Sequence, residues 1–492
     1  MKLSLLKKDL AARTVAFHDR EIKGITCDSR DVTDGMLFVA IDGETQDGHP
    51  FAVEAVANGA AAVVVQRKLE LPNTTQIIVP DTRLAYALLS ARFYGFPSEL
   101  LKLAGVTGTN GKTTVSWMLR SIIEASGKSC GLIGTINYNA GSRCIPAKNT
   151  TPSPQKINEM LAEMVQAGQE YAVMEVSSHA LMQKRVHAVN FDVGIFTNIT
   201  DNEHLDYHKT FAAYRDAKCK LFEALPSSGY AVLNLEDPSS GYIAQRTQAR
   251  KITYAVARDA DIRTLINDMS MSGTSFEIFT PHGSVPVNAS FFGRYNVSNA
   301  TAAAAAALCM GIGIDAIKQG LESYEGTPGR LESINCGQDF SVLVDYAHTA
   351  DALENVLVTL KRIAPRRIIL VFGCGGNRDA GKRPKMGAVA KKYADFFVVT
   401  ADNSRLEPTA QIIAAIEDGI GECSHHVVEP DRTEAIKRAI NEADAGDVVL
   451  IAGKGHETYQ ILGSTTRPYD DREEARAAIR ALAQQPNRKT VA

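Results

Sequence analysis

Short apolar runs rich in β-branched residues recur along the chain: AAAVVVQ at 60–66, QIIVPD at 76–81, RIILVFG at 367–373, FFVVTAD at 396–402 and DVVLIAG at 447–453. Between them lie longer amphipathic or alanine-rich stretches such as NATAAAAAALCMGI at 299–312. Strand-like runs alternating with helical ones predict an α/β fold on mainly parallel sheets. Between Val256 and Val297 the pattern changes to SGTSFEIFTPHGSVPVNASFFG, which reads as strands and turns, an antiparallel appendage. EGTPGRLESI at 325–334, with Pro328 and two glycines, reads as a linker before a fresh strand–helix series.

At 492 residues the chain is well beyond the roughly 250–300 at which one hydrophobic core stops growing. We expect three domains, with boundaries near residues 84 and 329: a small N-terminal α/β domain (1–84), a central domain of mainly parallel sheet (85–329), and a C-terminal Rossmann-like α/β domain (330–492). Lys plus Arg (53) nearly balance Asp plus Glu (56), for a net charge of −3. Bulk charge therefore gives no reason to bind nucleic acid or an anionic membrane, and an anionic ligand needs a local site. The eight cysteines form no C-x-x-C pair and no zinc-ligand spacing, which reads as reduced thiols. There is no signal-peptide pattern and no long apolar span, so the expectation is a cytoplasmic protein, working as a monomer.

Chemistry first shows in GVTGTNGKTTVSWML, residues 105–119. LKLAGV before the loop reads as a buried strand, and TVSWMLRSIIEASG after it has helical spacing ended by Gly127. A strand, a Gly-rich loop and a helix start bring backbone N–H groups and the positive helix end onto one anion. Gly108 and Gly111 allow close backbone approach, Lys112 can reach terminal phosphates, and Thr113 can offer its hydroxyl to Mg²⁺. The general pattern G-x-x-x-x-G-K-[ST] nevertheless asks for Gly where Val106 stands. A plain Gly/Asn turn with a solvated lysine is the alternative, disfavoured by the flanks.

The variant loop GTNGKTT resembles that of the Mur ligase family, the ATP-dependent amide-forming enzymes of peptidoglycan synthesis. Further stretches similar to that family follow in order: NTTP at 149–152, MEVSSHAL at 174–181, FTNITDNEHLDYH at 196–208, YRDAKCKLF at 214–222 and GRYNVSNATAA at 293–303. They continue with PGRLE at 328–332, DYAHTADALENVL at 345–357, GCGGNRDAGKRPKMG at 373–387, DNSR at 402–405 and GKGHETYQ at 453–460. The resemblance covers nearly the whole chain.

It implies an ATP site of Gly108, Thr109, Asn110, Gly111, Lys112, Thr113 and Thr114, with Asn296 and Asn299 toward the adenine and with Arg330, Asp345 and His348. Glu175, at the end of the apolar run YAVMEV, stands where ligands bind in open α/β sheets. The resemblance gives Glu175, His204, Thr113 and Lys218 to Mg²⁺, Lys218 as a carbamate. Composition alone makes Lys218 a solvated helix lysine, and a structural histidine is the alternative for His204. Ser29, Arg30, Gln46 and His49 resemble the family's uridine-diphosphate pocket. Asn149, Thr150, Thr151, Ser177, Gln183 and Arg185 match positions that hold a muramoyl-dipeptide. Arg378, Asp402, Asn403, Arg405, Gly453 and Glu457 match an amino-acid site, where Arg405 can form a bidentate pair with the second carboxylate of diaminopimelate.

Three positions depart from the pattern: Asn377 and Glu203 stand for Asp, and Ser404 for Pro. Ser404 releases the φ angle that Pro fixes, which would loosen the loop while leaving Arg405 in place. The implied reaction is ATP-dependent amide ligation through an acyl phosphate, with ATP, UDP-N-acetylmuramoyl-dipeptide and meso-diaminopimelate as substrates and Mg²⁺ as cofactor. A lysine-adding variant, a ligase like folylpolyglutamate synthetase, and a nucleotide-gated binding protein are the alternatives. The last gives no reason for NTTP, AKCKLF and GKGHE to occur together.

Overall fold

The computed structural model describes residues 1–43, 46–200 and 205–484. The chain divides into two compact units, one of Met1–Arg263, Phe279–Val285 and Asn299–Leu321, the other of Thr264–Ile278, Pro286–Ser298 and the chain from Glu322 onward. Three α/β sheets carry the architecture.

In the first unit the runs at 60–66 and 76–81 become strands Ala62–Val65 and Thr75–Ile78 of an N-terminal sheet. Its order is Arg13–Val15, Thr75–Ile78, Ala62–Val65, Met36–Val39, Gly24–Thr26, parallel except for the first strand. Successive side chains on a strand point to opposite faces. Leu37 and Val39 accordingly join a core with Tyr86 and Leu89, while Phe38 and Val63 pack with Ala52 and Ala55. Helix Thr82–Phe93 starts where the Asp81 carboxylate accepts the Leu84 N–H.

The second sheet of this unit contains Arg250–Val256, Tyr230–Asn234, Val193–Phe196, Lys102–Thr107, Tyr171–Glu175 and Cys130–Ile133, neighbours in that order and all parallel. Antiparallel strands Asn137–Ala140 and Arg143–Pro146 extend it at one edge. The register sets Glu175 beside Val106 and Phe196 beside Thr107, so three adjacent strands end together. The segment expected as an appendage forms strands Ile262–Ser270, Gly273–Thr280 and Gly283–Ala289, joined through residues 271–272 and 281–282.

In the second unit the three C-terminal apolar runs become Ile368–Phe372, Phe396–Val399 and Val448–Ala452. The sheet order is Glu332–Ser333, Ser341–Asp345, Val448–Ala452, Ile368–Phe372, Phe396–Val399, His426–Val428, parallel except for the first strand. Helices cover both faces, as a mainly parallel sheet requires. Leu343, Leu370 and Leu450 pack with Leu353, Leu357 and Met386, whereas Val344, Val371 and Ile451 pack with Ile436, Ile440 and Ile479. A separate hairpin, Tyr459–Leu462 with Thr465–Pro468, follows the last long strand.

Candidate active site

The loop expected to grip phosphate leaves the C-terminal end of strand Lys102–Thr107 and runs into helix Lys112–Ala125. Gly111 has φ +89, and a Cβ there would lie 2.5 Å from Asn299 Oδ1; a Cβ on Gly108 would lie 1.8 Å from Thr197 Oγ1. Only glycine fits either position. The loop is braced from the next strand's end: Asn198 accepts the Thr109 N–H on its carbonyl (2.7 Å) and the Asn110 N–H on Oδ1 (2.9 Å), and Thr197 donates to the Asn110 carbonyl (2.6 Å). The first N–H groups of the helix lack intrahelical acceptors and face the anion position.

Lys112 folds back on this loop, donating to the Gly108 and Thr109 carbonyls at 2.9 and 2.8 Å. Lys218, buried on helix Phe211–Glu223, donates to the same Gly108 carbonyl at 2.7 Å. Its ammonium lies 4.4 Å from the Tyr214 ring centre, and the Tyr214 hydroxyl meets Thr109 Oγ1 at 3.1 Å. Two lysines therefore converge on the phosphate loop.

Glu175 is completely buried at the end of its strand. Its carboxylate accepts from Thr113 Oγ1 (2.9 Å), Thr135 Oγ1 (2.8 Å) and the Thr135 N–H (2.8 Å). No lysine or arginine pairs with it among the described residues. From this carboxylate a polar network reaches the residues matched to the muramoyl-dipeptide. Thr135 Oγ1 meets Thr150 Oγ1 at 3.0 Å, Thr151 Oγ1 donates to the Glu175 carbonyl at 2.8 Å, and the Ser177 N–H donates to Thr151 Oγ1 at 3.0 Å. Arg185 closes it, donating to the Thr151 carbonyl at 2.6 Å and to Gln183 Oε1 at 3.1 and 2.7 Å. Burial lowers the pKa of Arg185. Asn149 is held by Tyr138, whose hydroxyl donates to its carbonyl at 2.5 Å.

In the N-terminal sheet region Ser29 is buried and donates to Glu54 at 2.5 Å, while Arg30 is exposed and chelated by its neighbour Asp28 at 2.9 and 2.6 Å. Gln46 is exposed. His49 is buried with both ring nitrogens engaged, Nδ1 by Asp47 (2.5 Å) and Nε2 by the Gln66 N–H (2.9 Å). That placement suits a residue shaping the loop better than one offering a ring nitrogen to a ligand.

Asn296, Arg330, Asp345 and His348 belong to the second unit, whereas Asn299 belongs to the first. Asn296 donates to the Phe292 carbonyl at 2.9 Å. Asp345 accepts the Leu331 and Ala347 N–H groups at 2.7 and 2.8 Å, and burial raises its pKa against the opposing pull of Arg330. Arg330 lies 4.6 Å from the Tyr346 ring centre. Burial, with Lys382 nearby, pushes His348 down to about 4.

The residues matched to an amino-acid site follow the C-terminal ends of strands Ile368–Phe372, Phe396–Val399 and Val448–Ala452. Asn403 donates to Glu457 at 2.8 Å; the wholly buried Lys454 reaches both Glu457 (3.1 Å) and Asn403 (3.3 Å). Asp402 is buried, yet Arg432 and Lys454 hold its pKa below the ordinary value despite desolvation. Arg405 Nη1 donates to the Gly376 and Asn403 carbonyls at 2.9 and 3.3 Å, and among the described residues no carboxylate pairs with it. Arg378 is exposed.

Two of the departures from the family pattern prove to be structural members of this loop. Ser404 is buried and shares a 2.7 Å hydrogen bond with Thr409, which ties its side chain to the residue five positions on. Asn377 Oδ1 accepts the Leu406 N–H at 3.0 Å. Glu203 and His204 lie outside the described residues, and among those described no group of three or more His, Cys, Asp or Glu converges as a metal site. Thr135, Asn198, Tyr214, Lys454 and Gln460 were not singled out from the sequence. Asn198, Tyr214, Lys454 and Gln460 stand within family-like stretches, but Thr135 carries no local signal.

A phosphate-binding loop at the end of a parallel sheet, lysines aimed at it and a buried carboxylate beside it define an α/β enzyme with a P-loop-type nucleotide site. The chain matches the Mur ligase middle domain over residues 106–307, the Mur ligase glutamate ligase domain over 329–455, and the Mur ligase family catalytic domain over 21–94. It belongs to the Mur ligase family and is an ATP-dependent amide ligase. It is 46% identical over 467 residues to the UDP-N-acetylmuramoyl-L-alanyl-D-glutamate–2,6-diaminopimelate ligase of Geobacillus kaustophilus, covering 94% of this chain and 95% of that protein. It is 42% identical over 465 residues to the enzyme of the same name from Listeria monocytogenes, covering 93% and 94%. A solved structure of a ligase of that name superposes with a TM-score of 0.68 at 34% identity, covering 94% of this chain and 96% of the other. A Mycobacterium tuberculosis folylpolyglutamate synthase shares the fold alone, at 18% identity, a TM-score of 0.62 and coverage of 83% and 96%. Among the described residues no helix is long and apolar enough to cross a membrane.

Proposed function

We propose that this ligase joins meso-diaminopimelate to UDP-N-acetylmuramoyl-L-alanyl-D-glutamate in cytoplasmic peptidoglycan-precursor synthesis. The observation that carries the amino-acid assignment is Arg405: a partly buried guanidinium with no carboxylate partner among the described residues, on a loop that also presents the ionised Asp402. A guanidinium fork holds a carboxylate in a fixed plane, and the carboxylates of the buried Asp402 and the partly buried Glu457 can receive the adjoining ammonium. The three domains bounded near residues 84 and 329 would hold the uridine-diphosphate end, ATP, and the amino acid respectively.

In the reaction, the γ-carboxylate of the D-glutamyl residue attacks the γ-phosphate of ATP and ADP leaves. The amine of diaminopimelate attacks the acyl phosphate, and the tetrahedral intermediate expels phosphate. Hydroxide, a poor leaving group, is thereby replaced by phosphate. The protein's part is placement and charge neutralisation: Lys112 and the helix start beside the phosphates, Arg185 with Thr151 and Ser177 beside the dipeptide.

The donor set beside the loop fits Mg²⁺, since hard cations take oxygen ligands and the uncompensated, fully buried Glu175 carboxylate lies 2.9 Å from the Thr113 hydroxyl. When bound there, Mg²⁺ would supply neutralisation of phosphate charge. Lys218 would act as a carbamate formed with CO₂ and loss of a proton; its nitrogen would keep one N–H able to donate to the Gly108 carbonyl, as the unmodified amine does.

The test is release of ADP and the mass of the product when the purified protein receives ATP, Mg²⁺, UDP-N-acetylmuramoyl-L-alanyl-D-glutamate and either meso-diaminopimelate or L-lysine. A site built to pair a polar group can reject an analogue lacking it by about 10⁴ or more. Strong preference for diaminopimelate, lost selectively in Arg405→Ala, is the expected result. Comparable kcat/KM for the two amino acids would refute the assignment, and turnover with a folate acceptor instead would favour the folylpolyglutamate reading.

A further inference from the structure

The hairpin Tyr459–Leu462 with Thr465–Pro468 is not among the residues expected to bind any substrate, yet two of its consecutive residues grip three residues of the amino-acid loop. Gln460 is 1% exposed, and its Nε2 donates to the Asp402 carbonyl at 3.2 Å. The Ile461 N–H donates to Asn403 Oδ1 at 2.9 Å, and the Ile461 carbonyl accepts the Arg405 N–H at 3.1 Å. Gln460 is itself oriented from across the hairpin, since Arg467 donates to its Oε1 through Nε (3.1 Å) and Nη2 (2.7 Å).

A second observation explains why the loop needs such a grip. Arg405 has φ +51, the left-handed region that a residue with a long side chain seldom adopts. Such a conformation persists only where the surroundings over-determine it. Around Arg405 the determinants are the Ile461 carbonyl on its N–H, the Gly376 carbonyl on its guanidinium, and Asn377 Oδ1 on the next residue's N–H. The left-handed turn directs the guanidinium, and the hairpin holds the turn.

Resting on the amino-acid reading above, we infer that Gln460 is a specificity-positioning residue: by clamping the Asp402 carbonyl it fixes the spacing between the Asp402 carboxylate and the Arg405 guanidinium, and so the length of amino acid accepted. Its described contacts are with the Asp402 carbonyl and Arg467, not with the phosphate loop. Its effect should fall on the far carboxylate of diaminopimelate and not on lysine, which has none there.

The experiment is steady-state kinetics of the full chain with meso-diaminopimelate and with L-lysine, in the unsubstituted enzyme, Gln460→Leu, Arg405→Ala and the double variant. Gln460→Glu, which retains the side-chain length, stands in if the leucine variant fails to fold. Misplacement of a binding group by about 1 Å can cost on the order of a hundredfold. We expect Gln460→Leu to lower the preference for diaminopimelate by about tenfold or more through KM for that amino acid, with kcat and KM for ATP within about twofold. On the Arg405→Ala background the same substitution should leave the preference unchanged, because residues acting through one contact are non-additive. An unaltered preference in Gln460→Leu, an equal loss for both amino acids, or an undiminished effect without Arg405 overturns the inference alone. Absence of any product with diaminopimelate in the unsubstituted enzyme defeats the substrate assignment, and the inference with it.

Discussion

Replacing Arg432 with methionine should destabilise the second unit by about 3–5 kcal/mol. Arg432 and Asp471 are both wholly buried. The guanidinium donates to the two Asp471 oxygens at 2.7 Å each, to the Ala401 carbonyl at 3.2 Å and to the Ala452 carbonyl at 3.0 Å. Methionine fills most of the volume but leaves a buried carboxylate uncompensated, the dominant cost. Each carbonyl left without a donor adds on the order of 1 kcal/mol. With a urea slope of about 2 kcal/mol per molar, the denaturation midpoint should fall by roughly 1.5–2.5 M. Removing the stranded charge as well, in Arg432→Met with Asp471→Leu, should recover much of the loss, since a buried pair exchanged for apolar side chains is often close to neutral. Equilibrium urea denaturation followed by circular dichroism reads both. A loss below about 1 kcal/mol in the single variant, or a double variant whose loss is the sum of the two single ones, would refute the reasoning.

Lys112→Ala should keep the melting temperature within a few degrees while lowering kcat by about 10² or more, because a charge on the transferring phosphoryl group is worth several kcal/mol and each ~1.4 kcal/mol is tenfold; near-normal turnover would count against the loop's role. Lys218→Ala should be nearly inactive and partly recovered by formate or acetate, with turnover against added anion as the measurement; rates like those of the unsubstituted enzyme would exclude a carbamate there. For stability against pH, burial depresses His348 and His456 each to about 4 from 6.5. The unfolded chain then binds more protons than the fold between those values. Stability is therefore full above pH 6.5 and declines as pH falls toward 4, by up to ~1.4 kcal/mol per pH unit for each histidine. Substituting both by Gln should flatten that part of the urea-midpoint profile.

The phosphate loop was legible because its glycines, lysine and threonine are contiguous and stand between a strand-like and a helix-like run. Glu175 was legible for a similar reason: the end of an apolar run is where a parallel sheet presents ligand groups. What fixes Glu175 was not, because Thr135 comes 40 residues earlier in an unremarkable stretch and becomes a partner only through sheet register. Tyr214 was quoted for its neighbour Lys218, yet it reaches Thr109 across 105 residues. At Ser404 the loss of Pro is visible in the sequence, whereas the hydroxyl bond to Thr409 depends on the loop's own turn. The division of helix Arg294–Cys309, with Asn296 in one unit and Asn299 in the other, leaves no trace in its alanine-rich composition.

The hairpin's grip on the DNSR loop also sets an order of events during synthesis of the chain. Asp402 and Asn403 are translated 58 residues ahead of Gln460 and Ile461, the residues that hold them, an interval of about 3–12 s at 5–20 residues per second. Over that interval the nascent loop has no Ile461 carbonyl to hold Arg405 in its left-handed turn. A chain released before Leu462 would carry the residues of the phosphate loop, Glu175 and both lysines, but neither the complete hairpin nor Asp471, the partner of the buried Arg432. The residues proposed to set discrimination are thus completed later in synthesis than those of the phosphate loop.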